Sequence, residues 1–368
     1  MSHSVSQIAA ALRVPFAGDG ALLVTGACEP AAAGPGHLAL AMSPAYAQGL
    51  ALGHARAAVL WHGADWQSLG LEAAIFVTRP RLALSGLTRT FDPGPGFAPG
   101  VHPMAVIDPS AVLGDGVSVG PFTSIGAGAR IGSGSRIGDN VTIGAGAVLG
   151  AGALVLSGVR IGPRVIIGVD FIAQPGAVIG GDGFSFVTEQ TSRVEAARTT
   201  LGNPGETAKQ PWLRIHSLGS VTIGDNVEVG ANTTIDRGTV RDTQIGTGTK
   251  IDNLVQVGHN VVVGEDCLLC GQVGIAGSTR IGNRVVLGGQ VGVVDNIQVG
   301  DDVVAAAGTM ITSNAPAGRV LMGSPAVRMD QHVAIYKAQR RLPRLMAQVA
   351  ELQKILKSLV DRGQGGES

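Results

Sequence analysis

The 368-residue sequence predicts a mainly β chain: a parallel β-helix of hexapeptide repeats, set between a small N-terminal α/β domain and a C-terminal helical tail. Three observations carry this reading. An aliphatic residue recurs at every sixth position over two long blocks. Glycine supplies 56 of the 368 residues, about twice its usual share. Charged residues reach only 15% while hydrophobic ones make up 45%, as expected where most positions face a core or turn a tight corner. The balance excludes a disordered chain, which is charge-rich and poor in aliphatics. Collagen is excluded because no Gly triplet runs through the sequence. Lys plus Arg equals Asp plus Glu at 27 each, which is poor footing for bulk nucleic-acid or anionic-membrane binding.

The length allows two or three domains, and the composition divides the chain at 1–100, 101–322 and 323–368. Residues 1–100 lack the hexad. Ile8–Leu12, Ala47–Leu52 and Arg81–Leu87 read as helical pieces, and AAVLW (57–61) and AAIFV (73–77) as buried strands. The Gly/Pro-rich stretch 91–100 reads as a linker. The first block then runs from Ile107 through Leu113, Val119, Ile125 and Ile131 to Ile167, with Gly after most of these positions. The second returns at Ile223, Val229 and Ile235, slips by four residues, resumes at Ile245 and continues to Ala305 and Ile311.

Such a repeat is a parallel β-helix signature. One aliphatic per hexad points inward, and a small residue four positions later (Ala129, Ser135, Val141, Ala147) points in beside it. Three hexads close a coil of eighteen residues, and coils stack at strand spacing, about 4.8 Å. Residues 181–217 interrupt the repeat and read as an excursion outside the stack, of a length usually functional or disordered. In the tail, Pro343 is expected to break or kink the helix. Beyond it Leu345, Val349, Leu352, Leu356 and Leu359 follow a short coiled-coil seam.

Reactive side chains are scarce in the solenoid. His259, two residues after the inward Val257, points outward, with Gly277 eighteen residues on in its column and then Asp295. It reads either as a groove wall or as a solvated surface histidine. Cys267 and Cys270 spell C-x-x-C, but the hexad puts Cys267 at a small inward position and Cys270 at a corner, so packing is expected. Three scattered cysteines make no disulfide framework. The N-terminus lacks a secretory pattern and no apolar run is long enough to span a bilayer, so a cytoplasmic protein without an integral membrane segment is expected.

The segments GAVIGGDGFSF (176–186), VTIGDNVEVGANTTIDRG (221–238), IDNLVQVGHN (251–260) and GIAGSTRIG (274–282) resemble the UDP-3-O-acylglucosamine N-acyltransferases of lipid A biosynthesis. The resemblance covers nearly the whole chain. It implies a homotrimer of left-handed β-helices with active sites between subunits, and transfer of a hydroxyacyl chain from acyl carrier protein to the glucosamine 2-amino group, without a resident cofactor. The family's catalytic base maps onto His259, and imidazole has a pKa suited to that task. Asp252, in the same motif, is either a supporting group or a corner residue.

A second family histidine falls on Asn296, which can donate a hydrogen bond but cannot carry a proton. Uracil binding maps onto LAMSPAY (40–46), where Tyr46 remains and Leu40 and Ser43 replace the other two expected residues. Met310 matches a position that limits acyl length, or else fills a gap in the core. The basic cluster Arg340, Arg341 and Arg344 is expected to dock the acidic carrier protein, or else to solubilise a trimerisation helix. The rivals are another hexapeptide-repeat acyltransferase acting on a UDP-sugar, a β-helix zinc enzyme, which needs three converging histidines, and an inert scaffold.

Overall fold

The computed structural model describes residues 2–200, 202, 209–323 and 326–364, with no side-chain description for residue 198 or beyond 357. Contacts divide the chain into two units, Met1–Gly96 and Phe97–Ser368. In the first, a five-stranded sheet runs in the order Phe16–Gly18, Ala73–Val77, Ala57–Trp61, His37–Ala41, Gly26–Cys28. All its pairings are parallel except that of Phe16–Gly18 with Ala73–Val77. The helices Val5–Leu12 and Pro80–Phe91 supply Val5, Ile8, Ala83 and Leu87 to a core shared with Leu38, Val59 and Ile75. Val5, Ile8 and Ala9 fall on one face because helix neighbours recur at three and four residues. Ser4 starts this helix with a capping box to Gln7.

The second unit is a parallel β-solenoid. Among the described residues its strands form three parallel sheets of ten, ten and nine strands. Most strands are two residues long, and away from the interruptions most pair with the strand eighteen residues away, as in Ile125↔Ile143 and Ile143↔Ile161. The expected inward aliphatics line a single continuous core from Val119 to Ile311, with Ile107 and Leu113 packed against its end. Ser135 and Thr123 stand at the small inward positions. Each hydroxyl is satisfied by the adjacent coil: Thr123 Oγ1 donates to the Gly138 carbonyl at 2.6 Å and accepts from the Val141 amide at 3.0 Å. Buried hydroxyls without such partners would cost about 1–3 kcal/mol each.

Glycine does two jobs here. A Cβ on Gly132 would run into the backbone of Gly150 and Ala151 in the next coil. Gly134, two residues on, has φ +68°, a conformation costly for most L-residues.

Both interruptions of the repeat keep the stack intact. Across the excursion Ile179 pairs with Ile235, and across the slip Ile223 pairs with Ile245. The excursion carries a hairpin, Phe186–Val187 with Leu213–Arg214, and a helix, Arg193–Thr199. The tail is one helix, Met329–Gln364, with Pro343 inside it, so of the expected break or kink the break does not occur. Its side chains described, 329–357, are all exposed. A carbonyl left without its N–H partner by Pro343 can therefore turn to water instead of ending the helix. Leu359, the far end of the expected seam, lies beyond the residues whose side chains are described, and Ser324 and Pro325, just past the expected boundary at 322/323, lie outside the described residues. No helix among the described residues is long and apolar enough to cross a membrane.

Candidate active site

The two irregularities meet at His259. The imidazole sits between Gly183, from the excursion, and Gly277, from the next coil. A Cβ on Gly183 would come within 2.6 Å of His259 Cβ, and one on Gly277 within 2.8 Å of Nε2. The column of His259 over a bare glycine is thus a slot that a side chain at either neighbour would fill.

The four-residue slip fixes the ring's protonation pattern. Its extra residues, between the strands Thr234–Asp236 and Thr243–Ile245, form a corner that reaches Asn260. The Thr239 amide donates to Asn260 Oδ1 at 3.1 Å, and Asn260 Nδ2 donates to the Arg241 carbonyl at 3.1 Å. These backbone partners admit only one orientation of the Asn260 amide, because an amide N–H can only donate and a carbonyl only accept. Asn260 Oδ1 lies 2.9 Å from His259 Nδ1. Oδ1 is an acceptor, so Nδ1 carries the hydrogen. In the neutral ring Nε2 then holds the lone pair, and it faces Gly277.

Asp236, from the TTIDRG segment, is buried one coil before His259. Its Oδ2 accepts from Gln256 Nε2 at 3.0 Å. Burial pushes its carboxyl above the usual range, against Gln256 and His259, which pull it down. Arg237 is structural: its Nε donates to Gly219 O at 2.9 Å and its Nη2 to Pro163 O at 3.2 Å, tying the end of the excursion to the coil.

An open strip runs along the same sheet beyond Gln256. The outward positions in register are Gln256, Gly274, Gly292 and Met310. Nothing lies within 4 Å of where a Gly274 Cβ would be, and the Met310 thioether lies over Gly292. At about 4.8 Å per coil this groove is roughly 14 Å long.

The structure spreads the other expected site residues. In a single chain Asp252 does not support His259: it follows a strand of a different sheet, at the neighbouring corner, where its Oδ1 accepts from the Asn253 amide at 2.7 Å. Asn296 stands in the column of Asn260, two coils on and about 10 Å away at sheet spacing, with its Nδ2 donating to Asp295 Oδ2 at 3.0 Å. Cys267 is core packing, its thiol pushed up by burial and lying 3.1 Å from the Gly282 carbonyl oxygen. Tyr46 is exposed on the short helix Pro44–Ala47, and Ser43 is its N-cap residue. Arg340, Arg341 and Arg344 are exposed on the tail helix, Arg340 lying over the Tyr336 ring at 5.9 Å. Sequence reasoning singled out neither Asp236 nor Asn260 among the groups around His259, although each stands in a quoted motif and Asn260 directly follows the histidine.

Three stretches match hexapeptide models: residues 120–151 the bacterial transferase hexapeptide (six repeats), and residues 218–253 and 278–313 the hexapeptide repeat of succinyl-transferase. A UDP-3-O-acylglucosamine N-acyltransferase of Ruegeria pomeroyi is 64% identical over 354 residues, 96% of this chain and 98% of that one. Its namesake in Paracoccus denitrificans is 63% identical over 363 residues, 99% of each chain. A crystal structure of UDP-N-acetylglucosamine O-acyltransferase from Moraxella catarrhalis is 25% identical, covering 70% of this chain and 91% of that one with a TM-score of 0.42.

Proposed function

The chain belongs to the UDP-3-O-acylglucosamine N-acyltransferase family, and from that membership we propose a lipid A biosynthetic reaction in which His259 is the general base. A 3-hydroxyacyl chain passes from the thioester of acyl carrier protein to the 2-amino group of a UDP-3-O-acyl-glucosamine. The observation that carries the mechanism is the committed Nδ1–H of His259, which leaves Nε2 as a lone pair in a slot between two glycines. The amine attacks the thioester carbon and passes its proton to Nε2. The C–N bond forms, the C–S bond breaks, and the thiolate leaves with the proton returned from the imidazolium. Direct attack suffices, because no side chain in the slot is an activated nucleophile. The amide N–H of Gly277 donates to no group among the described residues and is the natural donor to the oxyanion.

The remaining assignments follow from the same reading. The incoming acyl chain lies on the Gly274 and Gly292 floor and ends at Met310. Tyr46 and Ser43 hold the uracil, with stacking on one aromatic only. The protein works in the cytoplasm as a homotrimer. The outward register of one sheet carries Leu154, Ile172, Leu268, Val286 and Val304, interrupted by Glu228 and Lys250 between Ile172 and Leu268, and this mixed face is assigned as its contact surface. Asp252, at the corner beside that face, serves the His259 of a neighbouring copy. Asn296 lends a hydrogen bond and no proton, and Arg340, Arg341 and Arg344 dock the carrier protein.

The test is incubation with UDP-3-O-acylglucosamine and a panel of acyl-carrier-protein thioesters, with products read by mass. His259→Ala is expected to lower the rate about a hundred- to ten-thousand-fold while leaving oligomeric state and melting temperature in place. Activity within a few-fold of wild type would remove His259 from the mechanism.

A further inference from the structure

Three arginines gather at the corners leading up to His259, and the transfer chemistry uses none of their charge. Arg241 stands on the four-residue slip, and its Nη2 donates to the Asn260 carbonyl at 3.2 Å. Asn260 is also the partner of the imidazole. Arg237, on the same corner, spans the carbonyls of Gly219 and Pro163. Arg164 Nη2 donates at 3.4 Å to the carbonyl of Leu218, the neighbour of Gly219. A Cβ on Gly219 would come within 2.7 Å of the Arg241 carbonyl oxygen, so slip and excursion end are packed together. The strands that follow these corners, Ile166–Ile167, Val221–Ile223, Thr243–Ile245 and Val262–Val263, lie side by side in one sheet. The arginines therefore form one patch along adjacent coils, ending at the corner of His259.

The patch has no counter-charge. All the acceptors named above are neutral carbonyls, and among the described residues the arginines in ion pairs are Arg56, Arg214, Arg284 and Arg328. Asp242, next to Arg241 in sequence, turns its oxygens to the Ser220 amide at 2.7 Å and the Thr222 hydroxyl at 2.9 Å. Cations gathered in this way set up a positive field that favours an anion. Arg164 and Arg241 are exposed, and each commits a single N–H of its guanidinium. The planar fork of the remaining donors suits phosphate oxygens.

We propose that Arg164 and Arg241, braced by Arg237, bind the diphosphate of the nucleotide sugar; this rests on the transferase function above. In that substrate the diphosphate hangs on C1, the carbon next to the one that bears the amine. Whatever holds it must stand beside the group that takes the amine's proton, and Arg241 bonds the residue that orients His259. Acyl carrier protein also brings a phosphate, on its prosthetic arm, but at the far end of that arm from the thioester. The patch also runs from His259 toward earlier coils, whereas the Gly274 and Gly292 groove runs toward later ones.

The test uses full-length enzyme, the variant Arg241→Gln and the double variant Arg164→Gln with Arg241→Gln. Affinities for UDP and for uridine, which lacks the phosphates, are measured by calorimetry alongside transfer kinetics. Both side chains are exposed, and replacing Arg241 keeps the carbonyl that locks Asn260, so melting temperatures should match wild type. Arg241→Gln is expected to weaken UDP about tenfold, as for loss of a charged hydrogen bond, and the double variant further. Uridine affinity and KM for the carrier thioester should stay unchanged, while KM for the UDP-sugar rises with the loss of UDP affinity. Unchanged UDP affinity in the double variant, or an equal loss for uridine, would overturn the assignment. A rise in KM for the carrier alone would give the patch to the prosthetic arm's phosphate and overturn it as well. With an active wild type, any of those outcomes overturns the diphosphate site alone. A wild type that transfers nothing to the acylated sugar overturns the transferase reading with it.

Discussion

In the proposed reaction His259 owes its role as base to its neighbour in sequence. Asn260 is locked by the Thr239 amide and the Arg241 carbonyl, and so dictates which ring nitrogen keeps its hydrogen. Asn260→Ala removes the acceptor and lets the ring tautomerise and turn. We expect kcat to fall to a level between wild type and His259→Ala, with both KM values near wild type. Asn260→Asp keeps an acceptor toward Nδ1 and should retain more activity than the alanine variant. Steady-state kinetics on the pair decide this, and equal losses would exclude the tautomer role. Asp236 gives a different prediction. Its carboxyl is raised by burial, so the folded chain holds this proton more tightly than the unfolded one. Charging it therefore costs stability as pH rises through the folded value, and costs nothing below the unfolded value of about 3.9. Asp236→Asn is expected to melt above wild type at neutral pH, with the gap closing below about pH 4. Melting curves across pH check the sign, and a variant that melts lower at neutral pH would contradict it.

At the scale of elements, the coils were legible and the corners were not. Each coil repeats the same demand for an inward aliphatic, and the signal accumulates from Ile107 to Ile311 until the register is certain. The slip was visible as a count of four residues, but its consequence was hidden: the partners it brings to Asn260 are backbone groups of Thr239 and Arg241, which any residue type would supply. The N-terminal strands Phe16–Gly18, Gly26–Cys28 and His37–Ala41 were missed. The first two are three residues long and rich in Gly and Ala, and the third, HLALA, is longer but shows no polar–apolar alternation either. The helical pieces and the strands 57–61 and 73–77 were readable because they are longer or continuously apolar. The groove element makes a prediction of its own. Met310 lies over Gly292 and closes the strip, so Met310→Ala should shift the preferred thioester to longer acyl chains, while Gly292→Ala should crowd the thioether and favour shorter ones. Competition among thioesters of graded length, read by mass, checks both directions, and an unmoved optimum would take Met310 out of chain selection.

Across the whole molecule, charge is neutral in sum and local in effect. The tail helix gathers Arg340, Arg341 and Arg344 on an exposed surface, where a basic patch can steer an acidic partner without net positive charge. Reversing all three to Glu is expected to raise KM for the carrier protein and spare KM for the sugar. The wild-type KM for the carrier should also climb with salt, as the Debye length shortens to about 3 Å at 1 M. Unchanged carrier kinetics in the triple variant at low salt would move docking off the tail. This helix also carries Pro343 without ending there, and the stretch around it is exposed, where water can serve the carbonyl that proline orphans. The eighteen-residue register has a further consequence. Between His259 and Met310 the structure is modular, each coil a self-similar unit joined only to its neighbours. Duplicating or excising one whole coil there leaves every inward position in phase and moves Met310 by a single step, about 4.8 Å. An insertion that is neither a whole number of hexads nor looped out of the stack, as the excursion and the slip are, turns aliphatics outward and glycines off their corners. Changes to the reach of this groove are therefore quantised: side-chain exchange at Met310 or Gly292 tunes it finely, and coil number changes it in whole increments.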